Sequence, residues 1–512
     1  MEYLKTVERW GIFEAAIPGP FEGNPFTEHW LRAVFTGTNE QKTVEGFYDG
    51  NGIYRVRFMP AFEDDYHFCV TADFLDGELC GSFHAAAPQE GNHGPVHVAG
   101  EYHMAYADGT PYYSIGTTCY VWELQTDERI RETLENLTAA GFNKLRFCIF
   151  PKHYNYNLTE PRSYPFEGVP MDSSVLNEDN YMDYGPESEG NQWDFTRPNP
   201  EHFQNIDKCI RALADRGIEA DLILWHPYDR CGFSKMTRAD NERYLSYVIA
   251  RFGAYRNVWW SLANEYDFCQ YKTLEDWERF ADILCEKDVY VHLRSIHNGG
   301  PMYDFSRPWI THCSIQCQLA GNIGADVAHW REVYHKPIVL DEMTYEGDIG
   351  CSYGNISGQE LLRRFWEVAC QGGYGGHGET YLSNDNILWW SHGGKLRGEC
   401  WKRLKFLHNI LKSVPGHGLA PIPRYWNGLV GVPEVEAMQP EKSYFLFYYG
   451  LRQPKIMEFD LRHFGVAPDT RYAVELIDTW NMTVTDAGVH CGRFRLPMPG
   501  KEYMAVRLRR IE

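Results

Sequence analysis

The chain has 512 residues, enough for two to four domains at roughly 150 residues each. Hydrophobic residues make up 44% and charged residues 23%, which excludes disordered and fibrous classes. The 49 Lys and Arg against 70 Asp and Glu give a formal net charge of −21, so nucleic acid and anionic membranes would be repelled and a neutral substrate fits better.

Residues 1–98 read as short alternating strands (KTVEGFYDG, GIYRVRFMP, YHFCVTADF) between turn signals, the pattern of an antiparallel β-sandwich. From 99 to 415 short apolar runs alternate with helix-period segments, the signature of βα units. Strands are expected at 112–118, 144–150, 219–226, 257–265, 292–298, 309–316 and 337–343. An eighth follows, either GGHGETYL or NILWW. Asp127 and Pro200 open two of the intervening helices, with Gly141 and Gly217 closing them. Eight strands in this order predict an α/β fold, a (β/α)8 TIM barrel. Residues 416–512 return to alternation (KSYFLFYYG, RYAVELIDTW), which predicts a second β-sandwich.

No run approaches the roughly 18 apolar residues of a membrane span, and the opening MEYLKTVERWG carries no apolar stretch behind a basic end, so the expectation is a cytoplasmic protein. The 14 cysteines are scattered, with Cys148, Cys209 and Cys285 inside expected strands or helices, which suits buried reduced thiols. Cys313 and Cys317 lack a matching second pair, so neither a metal nor a cofactor is expected.

In a barrel of this kind the chemistry gathers at the C-terminal ends of the strands. Strand four ends in Asn264 and Glu265, and strand seven in Asp341 and Glu342, so the two glutamates should face each other across the mouth. Glycosidic bond cleavage needs such a pair, one carboxyl holding a proton for the leaving oxygen and the other ionised. Arg146, on strand two, is the natural cation to keep one of them charged. His226, His297, Gln316, His377 and Glu379 are candidates for sugar hydroxyls. Trp122, Trp225 and Trp390 could stack on a sugar ring, although adjacent Trp389 and Trp390 cannot both face one pocket. Asp341 is expected to face the surrounding helices or to make a strand-end hydrogen bond. The segment from Lys152 to Asn199 is the candidate wall of the pocket.

The Asn264–Glu265 pair ending WWSLA, with Glu342 ending PIVLD, resembles glycoside hydrolase clan A, the cellulase-like retaining barrels. Arg146 and His226 stand where that clan often has an Arg and a His. WGIFEAAIPGPFEGNPF and HGETYLSNDNILWWSHGG resemble a bacterial subgroup in which an immunoglobulin-like domain precedes a collagenase-like or cellulase-like barrel and a C-terminal β domain. The resemblance implies that Glu265 is the acid/base, Asn264 binds the hydroxyl beside the anomeric carbon, and Glu342 is the nucleophile. Many clan members have Pro after the acid, where this chain has Tyr266.

The expected function is a retaining glycosidase acting on small carbohydrates, with homo-oligomerisation open. The alternative is a carbohydrate-binding barrel that has lost catalysis. A peptide or ester hydrolase lacks support, since neither HExxH nor GxSxG is present.

Overall fold

A computed structural model describes residues 1–154, 156, 161–177, 179–180, 185, 189–318, 321–384, 387–422, 428–434 and 442–511. At the N-terminus a four-stranded sheet and a five-stranded sheet face each other. Alternation puts Phe13, Ala15 and Ile17 of one strand and Leu31, Ala33 and Phe35 of another into the gap, where they meet Phe58, Phe68 and Phe83. One cysteine pair departs from the expectation of reduced thiols. Cys69 and Cys80 lie opposite each other on neighbouring strands and form a disulfide, and Cys285 is exposed.

A three-stranded antiparallel sheet follows (Val96–Ala99, His103–Tyr106, Pro111–Tyr112). Its Val96, Met104 and Tyr112 pack on Trp259, Leu293, Val339 and Tyr374, residues at or near the starts of barrel strands, and plug the barrel floor. The first barrel strand is therefore the shorter Gly116–Thr118.

The eight barrel strands are Gly116–Thr118, Lys144–Cys148, Glu219–Trp225, Val258–Ala263, Arg294–Ser295, Cys313–Gln316, Ile338–Glu342 and Tyr374–His377, paired in parallel, the first with the eighth. A bridge from His297 to Ser314 joins the fifth to the sixth and closes the ring. The ambiguous eighth strand is thus the GGH segment, while Trp389–His392 forms a short helix. Side chains alternate in strand two: Leu145 and Phe147 face the helices, while Lys144 and Arg146 point into the barrel and reach carboxylates on strands three and seven. Deep inside, the Lys144 ammonium lies 2.7 Å from Asp221 and 2.5 Å from Asp341. Ser314 Oγ donates to the other oxygen of Asp341 at 2.5 Å. Asp341 therefore points into the barrel and not toward the helices, and of the two expected placements it takes the hydrogen-bonded one.

The cause is a register irregularity. Ser314 pairs with Val339, yet Gln316 pairs with Glu342, so strand seven carries one residue more than its neighbour over this stretch. The bulge lets consecutive Asp341 and Glu342 both turn inward.

The C-terminal part is a six-stranded sheet faced by a two-stranded one, Ile456–Asp460 with Arg493–Pro497, so the expected sandwich has one small layer. In its Tyr444–Tyr448 strand, Tyr444, Leu446 and Tyr448 join the barrel core and Phe445 and Phe447 face the small layer. At the other end, Arg57 of the N-terminal sandwich pairs with Asp207 of the barrel at 2.6 Å. Arg251 bridges Asp207 at 2.6 Å and Asp49 at 2.8 Å, all of them buried. Among the described residues no helix is long and apolar enough to cross a membrane.

Candidate active site

Strand four delivers Asn264 and Glu265 together because the chain turns sharply after Ala263. Glu265 adopts φ 47°, ψ 59°, a left-handed conformation that a side chain with Cβ pays for and that recurs at functional sites. The turn points both side chains to one centre, where Asn264 Nδ2 donates to Glu265 Oε2 at 3.1 Å. Glu342 arrives by the bulge, and the turn behind it is braced by buried Arg364. Its Nη1 donates to Met343 O and Thr344 Oγ1, both at 2.6 Å, with Thr344 itself at φ 67°.

Arg146 Nη1 donates to Asn264 Oδ1 at 2.7 Å and lies 3.5 Å from Glu342 Oε1. His297 Nε2 is 3.7 Å from the same oxygen. Its Nδ1 meets Ser314 Oγ at 3.0 Å, and burial pushes the ring down to about 4, so it is neutral. Gln316, on the bulged side of strand six, satisfies its surroundings when its amide nitrogen faces the glutamates, 3.0 Å from Glu265 Oε1 and 3.1 Å from Glu342 Oε2. Those two oxygens are therefore no farther apart than the sum of the two distances, about 6 Å.

The two carboxyls are set differently. Burial foremost, then the negative charge of Glu342, raises Glu265 to about 7, partly offset by the Tyr228 hydroxyl, Lys152 and Arg146. Glu342 instead receives the Tyr120 hydroxyl and faces Arg146. One carboxyl is thereby suited to hold a proton near neutral pH, while the other lies against a hydroxyl donor and a guanidinium.

The expected site residues divide. Asn264, Glu265, Arg146, His297, Gln316 and Glu342 converge. Trp390 stands beside them, edge-on to Tyr120 with centroids 5.4 Å apart. His226 flanks the cluster, with Nε2 at 3.3 Å from Phe150 O and its ring parallel to Tyr228.

Four residues lie elsewhere. Trp122 is wholly buried against Phe147, on the helix-facing side of strand two. Trp225 stacks on Phe280 at 4.6 Å and donates to Asn241 at 3.0 Å, so it is core between barrel and helices. His377 bonds Thr117 at 3.0 Å and packs on Phe142. Both oxygens of Glu379 accept backbone amides, from Arg397 at 2.8 Å and Gly398 at 3.0 Å, and so hold the approach to the last barrel helix rather than two sugar hydroxyls.

Sequence reading missed Tyr120, Tyr228, Lys152 and Tyr154. Tyr120 and Tyr228 each sit two residues past a barrel strand or its extension, and that position was their only signal. Tyr154 and Lys152 open the expected wall segment. Residues 155, 157–160, 178, 181–184 and 186–188 of that segment lie outside the described residues; the rest includes the antiparallel pair Phe166–Val169 with Gln192–Pro198, tied to the loop after strand three by Trp193 Nε1 to Cys231 O at 2.7 Å. Two clefts, of about 540 and 580 Å³, lie between the N-terminal sandwich and a barrel helix and near the barrel floor, away from this pair.

Residues 99–433 match the family of apiosidase-like catalytic domains. Residues 6–73 and 433–509 match two domain families of unknown function, DUF5060 and DUF5605. No curated protein matches the chain. Among solved structures, a provisionally classed glycoside hydrolase from Bacteroides vulgatus ATCC 8482 is 34% identical over 99% of this chain and 100% of its own, with a TM-score of 0.90. A family 5 glycoside hydrolase from the same organism is 16% identical over 82% of this chain and 94% of its own, with a TM-score of 0.59, a likeness of fold. The chain thus belongs to the apiosidase-like catalytic-domain family, built on a (β/α)8 barrel.

Proposed function

We propose that the protein is a retaining glycoside hydrolase for small glycosides, with Glu265 as acid/base and Glu342 as nucleophile. One observation carries the reading: a single amide nitrogen reaches both carboxyls, so their near oxygens stand about 6 Å apart or less. Retaining pairs stand about 5 to 5.5 Å apart, whereas inverting pairs need about 6.5 to 9.5 Å to admit a water.

In the first step a Glu342 oxygen forms a bond to the anomeric carbon while the bond to the leaving oxygen breaks. Glu265 gives that oxygen its proton, and a glycosyl ester remains on Glu342. In the second step Glu265, now ionised, takes a proton from water as the water oxygen attacks the anomeric carbon and Glu342 departs. Asn264, oriented by Arg146 at 2.7 Å, is placed to bind a hydroxyl beside the reacting carbon.

The test is hydrolysis of a panel of activated aryl glycosides, including an apioside because of the family's description, with the product anomer followed by NMR. Retained configuration, loss of turnover in Glu265→Ala and Glu342→Ala, and a fluorosugar adduct on Glu342 are expected. Inverted product would sink the mechanism. No turnover on any substrate, with binding retained, would leave a carbohydrate-binding barrel.

A further inference from the structure

Lys152 lies four residues past strand two and is almost completely buried, in a protein whose surface is strongly acidic. Its ammonium is 3.5 Å from the ring centre of Tyr120, 4.3 Å from Trp390, 4.4 Å from Tyr228 and 5.1 Å from Tyr154. Those rings come from four separate places along the barrel: after strand one, after strand eight, after strand three, and beside the lysine itself. Two of them do more than surround the cation. Tyr120 donates its hydroxyl to Glu342, and Tyr228 donates its hydroxyl to Glu265. One cation therefore touches both phenols that hold the two carboxyls.

A buried ammonium costs several kcal/mol unless it is compensated. Four aromatic faces supply part of that compensation, through the attraction of a cation to a ring's negative face. The negative charge of the glutamate pair adds to it without cancelling the burial.

We propose that Lys152 is a positioning residue, which fixes Tyr120 and Tyr228 against the two glutamates through their ring faces and supplies the positive charge that offsets the pair. The proposal rests on the glycosidase reading of Glu265 and Glu342. The charged and titratable groups facing Lys152 are Glu265, Glu342, Arg146 and Cys148, with His226 beside it. Glu265 in turn faces Glu342, Tyr228, Lys152 and Arg146, besides the amides of Asn264 and Gln316. Burial brings Lys152 down to about 8, which still leaves it mostly charged at neutral pH. Its charge favours the ionised form of Glu265 and works against the repulsion from Glu342. The acid can then release its proton in the first step and act as a base in the second.

The test is a carboxyl titration followed by 13C NMR in the full chain, with Glu265→Gln identifying the Glu265 signal. Lys152→Met keeps the stem and removes the charge, so the Glu265 midpoint should rise by about one unit. Lys152→Arg should return it to near the native value. Turnover of aryl glycosides by Lys152→Met should fall by roughly 10-fold or more in kcat with less change in KM, and most for poor leaving groups. Lys152→Gln serves as the second charge-removing variant if the Met variant does not fold. An unmoved or lowered midpoint in a folded charge-removing variant overturns the proposal. The titration needs no substrate, so a protein that cleaves no glycoside would defeat the glycosidase reading while Lys152 is still judged by the midpoint.

Discussion

Removing the charge of Glu342 should make Glu265 a stronger acid, and the structure sets the size of the effect. Two unit charges about 6 Å apart interact by about 3 kcal/mol at an effective dielectric constant of about 20, which corresponds to roughly two pKa units. Burial is the larger cause of the raised value of about 7 at Glu265, and it persists when Glu342 becomes neutral. In Glu342→Gln the Glu265 midpoint should therefore fall by between about one and two units, to somewhere near 5 to 6. The sign follows from the ionised neighbour: a negative charge disfavours a second one, so its loss favours ionisation. The assay is the same 13C carboxyl titration, with Glu265→Gln as the blank. A midpoint that stays put or rises would mean that the two carboxyls do not sense each other, and the pairing on which the mechanism depends would fail. The change also has a kinetic form. The alkaline limb of the wild-type kcat/KM profile should lie near pH 7, where Glu265 loses the proton that the leaving group needs.

Glu379→Gln tests whether that residue supports the fold or binds sugar: stability should fall by about 1 to 3 kcal/mol as a backbone amide loses its acceptor, while KM for an aryl glycoside stays near native. A KM raised tenfold at unchanged stability would return Glu379 to the substrate. Asp207→Asn leaves Arg57 and Arg251 facing a neutral group between the N-terminal sandwich and the barrel. It should cost about 3 to 5 kcal/mol and raise hydrogen exchange along the Arg57 strand, and unchanged protection there would contradict the role of the network. Lys144→Met strands Asp221 and Asp341 together in the barrel. A loss of similar size is expected in denaturant unfolding followed by tryptophan fluorescence, and native stability would show that the pair is dispensable.

The fold was legible because each part repeats a simple period. Alternation in Phe13–Pro18 or Tyr444–Tyr448 reports a sheet with two faces, and the helix between Asp127 and Ala140 carries its Thr126 cap and Gly141 stop in the chain itself. What the period could not show were short strands. Only Arg294–Ser295 of the expected 292–298 is a regular strand, because the barrel closes there through one bridge at His297. The tryptophans mislead for a related reason. Trp122 and Trp225 stand at strand ends, where a large ring fits a sugar or a gap between strand and helix equally well, and the choice depends on which helices arrive beside it.

The two glutamates depend on the places where the period breaks. On an undisturbed strand Asn264 and Glu265 would face opposite ways, as would Asp341 and Glu342. A left-handed residue resolves the first conflict and an extra residue in strand seven resolves the second. The first break can be argued from sequence, since a paired role for Asn264 and Glu265 requires a bend. The second cannot, because nothing in PIVLDEM marks a bulge, and only the register against strand six settles that Asp341 turns inward. The bulge has a chemical consequence. It lets Asp341 anchor to Lys144 and Ser314 inside the barrel while Glu342, next in the chain, meets Arg146, Tyr120 and Gln316 at the mouth. Ser314 also bonds His297, whose other ring nitrogen faces Glu342. The interior ion pair and the candidate nucleophile are thus adjacent links of one chain of contacts, and a substitution at Lys144 that left the barrel folded would be felt first in the orientation of Glu342.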